Sequence, residues 1–198
     1  IMPSRSWKKS ARGESWFNGD TINVSIGQGF MLTTPLQLGV MMARIASKGK
    51  MVKPQLVKSI NGNPVIGIEN TESIGIAAEH WAYIHQAMKA VVHSPLGTAR
   101  GINRDINYTI AGKTGTAQVI SIKAEEEYDS SKIDKSQWDH ALFVAFAPVE
   151  NPQIAIGLIV ENGEHGSSAA APIARLVMDA YMKSKVGSHQ STESEVLH

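Results

Sequence analysis

The run Ala111-Gly112-Lys113-Thr114-Gly115-Thr116-Ala117-Gln118 sets a cation and two hydroxyls among glycines and small residues, the strongest chemical signal in the chain. A Gly-Lys-Thr triplet first raises the question of a phosphate-binding loop. Such a loop needs a glycine five residues before Gly112, where Asn107 stands, and a helix behind it whose N–H groups face phosphate. Here Gln118-Val119-Ile120 follow, and they favour a strand. Read as an edge strand, the run alternates, with Lys113 and Gly115 on one side and Thr114 and Thr116 on the other. Lys113 then offers a fixed positive charge beside a nucleophile, and Gly115 clears space where a substrate approaches the backbone. Threonine hydroxyls can hold the terminal carboxylate of a peptide. The free edge can bond an extended peptide as one more strand, and a backbone N–H can face a developing oxyanion. For the triplet alone, a plain strand carrying these residues by chance is the competing reading.

Other reactive groups are weaker candidates. His80 and His85 are five residues apart, not the three or four that set two ligands on one helix face, so with His93 they read as structural and no metal is expected. Nucleophile-and-lysine patterns occur at Ser6-Trp7-Lys8-Lys9 and Ser47-Lys48-Gly49-Lys50, and Ser59-Ile60-Asn61 lies between them and Lys113. Ser47 would end its helix, where the dipole disfavours an alkoxide, Ser59 would sit at a hairpin tip, and Ser6 precedes no apolar helix. All three read as accidental. Asp139 and His140 are expected to orient the loop that leads into a strand rather than to act in catalysis. Cysteine is absent, which excludes disulfides and thiolate chemistry.

The elements that must position this run follow from periodicity. Thr34-Pro35 predicts a helix over 35–48 with Leu38, Met41, Met42 and Ile45 as its buried stripe and Gly49 as its stop. Residues 51–60 and 64–68 predict a hairpin around Asn61-Gly62-Asn63. A second helix is expected over 77–93, with Trp81, Ile84, Met88 and Val91 on one face. Three β-rich runs, 108–120, 141–149 and 153–162, come next, the last two joined by a turn short enough to make them antiparallel. Residues 121–139 between the first two, with Glu125, Glu126 and Glu127, read as a mobile solvated loop. A last helix is expected over 168–183, its apolar face made of Ile173, Leu176, Val177 and Tyr181, with a disordered polar tail over 184–198. The order predicts an α+β fold, an antiparallel sheet flanked by helices. A hydrophobic content of 42% supports a full core, and a net charge of +1 leaves no broad basic face for nucleic acid. No apolar run approaches the length of a membrane helix. Ile1 and the basic, aperiodic residues 1–15 suggest a cut inside a longer polypeptide.

Residues Gly19–Leu38, the His93–Arg100 segment with Gly97-Thr98-Ala99, the AGKTGTAQV run and residues 139–163 resemble, in that order, the transpeptidase domain of class B penicillin-binding proteins. The likeness covers about residues 1–183 and implies the C-terminal part of a transpeptidase domain, an incomplete domain whose serine nucleophile, base and membrane anchor would lie upstream of Ile1. It implies D,D-transpeptidation of the peptidoglycan stem peptide by a serine-type acyltransferase. Carried over residue by residue, Lys113 joins the active-site network, Thr114 and Thr116 hold the substrate carboxylate, Gly115 permits close approach, and the Thr116 N–H forms half of an oxyanion hole. The implied ligands are the D-Ala-D-Ala stem peptide and β-lactam antibiotics, the implied partners other cell-elongation proteins, and no cofactor is expected. The implied location is the periplasmic face of the bacterial inner membrane. A serine β-lactamase or D,D-carboxypeptidase of the same acylation class, and a non-catalytic peptidoglycan- or partner-binding module, are the alternatives.

Overall fold

The computed structural model describes residues 1–67, 72–120 and 129–194, with side chains as far as 185. At its centre three strands, β3 (Ala111–Ala117), β4 (His140–Ala147) and β5 (Ile154–Val160), form an antiparallel sheet in the order β3-β4-β5. Thr114 pairs with Phe143 and Phe143 with Leu158, while Lys113 pairs with Val144 and Val144 with Gly157. Because side chains alternate, this register assigns each strand residue to one of two faces. Two short strands, β1 (Ser59–Ile60) and β2 (Asn63–Pro64), make a separate hairpin much shorter than the sequence suggests. Pro54 lacks the N–H a ladder needs, and most of the segment is exposed.

One face of the sheet is covered by α3 (Pro35–Ala46), where Met42 and Ala46 pack with Ala111 and Phe146. The expected start of this helix holds. Thr34 Oγ1 accepts from the Gln37 N–H at 3.2 Å and Gln37 Oε1 accepts from the Thr34 N–H at 2.9 Å, a reciprocal cap with Pro35 as the first helical residue. Its stripe is narrower than the spacing predicts, since Met42 is fully buried while Met41 is 41% exposed. The helix lies against Gly157, where an added Cβ would stand 2.5 Å from the Gly39 nitrogen and 2.8 Å from the Pro35 carbonyl oxygen. Glycine at 157 sets that contact distance.

The opposite face packs on α5 (Ala171–Ser194) and the C-terminal end of α4 (Ala78–His93), with Val92, Ile110, Phe143, Ala145, Ala174 and Met178 at its core, while His85 and Met88 of α4 pack on the α3 side. The expected apolar face of the last helix is corrected here. Ile173, Leu176 and Val177 are 44%, 68% and 46% exposed, and the buried stripe is Ala170, Ala171, Ala174 and Met178. Small side chains let the helix approach the sheet, so the bulkier ones at intervening positions turn outward. The helical backbone also runs on to Ser194, past the expected end at 183. A further correction concerns the N-terminal region. Residues 5–25 contain α1 (Arg5–Arg12), capped by Ser4, and α2 (Asn18–Ser25), where hydropathy periodicity shows no helix. They are held by a buried ion pair instead, Lys8 Nζ to Asp20 Oδ2 at 2.7 Å, with Lys8 also over the Phe17 ring.

Of the expected mobile loop, residues 121–128 lie outside the described residues. Residues 129–138 form two short 3₁₀ turns, Ser130–Lys132 and Lys135–Gln137, each opened by an aspartate that accepts from the backbone two residues on. This half is ordered by local caps that a polar composition does not reveal. No described helix is long and apolar enough to cross a membrane.

Candidate active-site strand

The Lys113-Thr114-Gly115 triplet lies in the middle of β3, an outer strand that among the described residues pairs with β4 alone. Its buried neighbours Ala111 and Gly112 anchor it, since a Cβ on Gly112 would stand 2.7 Å from the Phe143 ring. From Lys113 onward the strand emerges to solvent, and Lys113 and Thr116 are exposed. Lys113 and Gly115, opposite Val144 and Leu142, take one face, while Thr114 and Thr116, opposite Phe143 and Ala141, take the other. That is the alternation expected from the sequence.

Side-chain bonds identify the main-chain groups of the free edge. Lys113 Nζ donates to the Thr114 carbonyl at 2.7 Å, and Gln28 Nε2 donates to the Thr116 carbonyl at 2.9 Å. Alternate residues send their N–H and C=O groups to the same edge, so Thr114 and Thr116 present theirs away from β4. Behind the strand Gly166 is pressed against it, where a Cβ would come 2.3 Å from the Leu142 carbonyl oxygen and 2.8 Å from that of Gly115. Thr98, after α4, brings its hydroxyl to 3.4 Å from that of Thr114. Thr98, Gln28 and Gly166 are contributions that neither periodicity nor the triplet discloses, since each reaches β3 from a distant part of the chain.

The serines in the lysine-spaced patterns are engaged elsewhere. Ser47 Oγ donates to the Ala43 carbonyl at 2.8 Å as the C-cap of α3, and Lys9 Nζ reaches the Gly13 carbonyl at 3.3 Å rather than Ser6. His85 and His93 have backbone partners. His85 is buried with Nε2 2.8 Å from the Ile45 carbonyl oxygen, and His93 Nε2 accepts the Ile110 N–H at 2.9 Å. Asp139 Oδ1 accepts from the Val119 N–H at 3.2 Å and His140 Nδ1 from the Asn162 N–H at 3.0 Å, so this pair ties the strand ends together.

Residues 5–179 match the model of the penicillin binding protein transpeptidase domain. The chain belongs to that family. A peptidoglycan D,D-transpeptidase MrdA of Haemophilus influenzae is 39% identical over 193 residues, 93% of this chain and 29% of the relative. Among solved structures, Pseudomonas aeruginosa PBP2, determined in complex with WCK 5153, is 43% identical, with a TM-score of 0.77 over 91% of this chain and 38% of that one. Helicobacter pylori PBP2, solved in a complex with MreC, is 28% identical with a TM-score of 0.72 over 92% of this chain and 31% of that one. The chain thus spans less than a third of the length of the curated relative and carries part of the penicillin-binding transpeptidase fold.

Proposed function

We propose that this chain forms the substrate-binding side of a peptidoglycan D,D-transpeptidase, with the free edge of β3 as the surface that receives the D-Ala-D-Ala end of a stem peptide or a β-lactam in its place. The observation that carries this reading is an exposed Lys-Thr-Gly segment on the outer strand of the sheet of a transpeptidase-family chain. An extended peptide adds to such an edge through the Thr114 and Thr116 main-chain groups. In this reading the Thr114 and Thr116 hydroxyls bind the terminal carboxylate, and Gly115 lets the peptide lie close to the strand. Lys113 contributes positive charge beside the serine nucleophile, which comes from outside this sequence, and the Thr116 N–H donates to the oxyanion. The work takes place at the periplasmic face of the inner membrane, where the substrate is. The MreC complex of the H. pylori relative supports a cell-elongation partner of the same kind.

The test is the second-order acylation rate by a penicillin, measured in a protein that joins this chain to the rest of its transpeptidase domain. Lys113→Ala is expected to slow acylation by about a hundredfold to a thousandfold, the usual effect of losing one charge-stabilising group, with thermal unfolding unchanged. An exposed lysine without a role would change activity hardly at all. An unchanged rate in a normally folded variant refutes the assignment.

A further inference from the structure

We propose that Gln28 is a positioning residue of the transpeptidase site, its side-chain amide holding the Thr116 carbonyl and so setting the direction of the Thr116 N–H. The inference rests on the functional reading of β3 given above and adds a residue to it. The bond from Gln28 Nε2 to the Thr116 oxygen is 2.9 Å long and joins residues 88 apart in sequence. It reaches the strand on the edge that β4 leaves free, close to the strand's end, where one-sided pairing constrains the backbone least.

The amide is projected from a tightly closed turn. Gly27 and Gly29 flank Gln28 in left-handed conformations, with φ of 77° and 69°, which L side chains adopt at a cost. The Gln28 N–H donates to the Asn23 carbonyl at 2.9 Å, closing the turn onto α2. The Asp20 carboxylate of α2 is in turn gripped by Lys8, which is only 2% exposed. A carbonyl oxygen has two lone pairs, so Thr116 can keep this bond while accepting an N–H from a bound peptide.

In acylation the serine oxygen bonds to the β-lactam carbonyl carbon and the carbonyl electron pair moves onto its oxygen. Collapse breaks the C–N bond, and the serine proton ends on the nitrogen. The Thr116 N–H must point at that oxygen as charge develops, because oxyanion donors act only when already aimed at it. Gln28 touches neither oxygen nor nitrogen of the ring in this account, and acts through Thr116.

Acylation by a fluorescent penicillin across a concentration series, in a protein that joins this chain to the rest of its domain, separates the binding constant from the acylation rate constant. Gln28→Glu keeps the shape but cannot donate when ionised, and Gln28→Ala removes the group. Both are expected to lower the acylation rate constant about three- to tenfold, with the binding constant and Tm unchanged. An unchanged or faster acylation step, or a loss confined to Tm, overturns the proposal. Lys113→Ala run in parallel distinguishes the two readings. If it is slow while Gln28→Glu is normal, only the Gln28 assignment fails, whereas normal rates in both variants overturn the functional reading beneath it.

Discussion

His93 closes α4 and accepts the Ile110 N–H at the root of β3, so its ring nitrogen must stay unprotonated to hold that bond. Burial, reinforced by the nearby charge of Lys89, holds its pKa below the usual 6.5. With the folded value depressed, the unfolded chain takes up a proton first as pH falls. The contribution of His93 is therefore complete above about pH 6.5 and is lost as pH drops through the folded pKa. Urea unfolding midpoints should decline between pH 7 and 5, and His93→Gln should flatten that decline. At this scale the sequence was legible in part. Lys113, Thr114, Gly115 and Thr116 stand out by type and spacing, and the side chains of His85 and His93 meet main-chain groups. Gln28 was not, because a glutamine between glycines in a loop gains its meaning only from the carbonyl it meets.

Among the elements, α3 and β5 approach closely where Gly39 meets Gly157. An added methyl at Gly157 would contact main-chain atoms, which cannot rotate away as a side-chain end can, so the helix must lift from the sheet. Gly157→Ala is expected to cost about 1–3 kcal/mol, the range for overpacking, in denaturant unfolding. An unaltered midpoint would show that α3 has room to move. Starts and pairings of elements were readable, as at Thr34-Pro35 and in the antiparallel β4–β5 connection, because caps and turns are local chemistry. The buried face of α5 was misread because Ile173, Leu176 and Val177 look more hydrophobic than the alanines beside them, while close packing on the sheet favours the small residues. The two N-terminal helices escaped for a related reason, being organised by the Lys8–Asp20 pair rather than by an apolar stripe.

Across the molecule, α5 is fastened to the segment leading into β3 by a cluster of three side chains. Arg175 donates to the Arg104 carbonyl at 3.1 Å and to Asp179 at 2.8 Å, and the Tyr108 hydroxyl donates to the same carboxylate oxygen at 2.8 Å. Burial and the bond to Asp179 push the Tyr108 pKa up from its usual 10, so the cluster depends on a neutral phenol. A raised folded pKa means that the unfolded chain loses the proton first as pH rises. The Tyr108 contribution is complete below about pH 10 and is lost above it. Tyr108→Phe is expected to lower stability by about 1–2 kcal/mol at neutral pH and to remove the part of the alkaline decline that Tyr108 causes. A stability-versus-pH curve that keeps its full alkaline decline in the variant would exclude Tyr108 as its source. By itself the sequence determined the α+β class, the antiparallel pairing of β4 with β5 and the residues of the Lys-Thr-Gly strand, since these follow from alternation, turns and side-chain type over short spans. The structure bears out the outer-edge position read for this strand, and it alone decided that Gln28, Thr98 and Gly166 converge on it and that Arg175 ties α5 to its root. Those facts depend on contacts between residues tens of positions apart, which the packing of the whole chain brings together and no local pattern records.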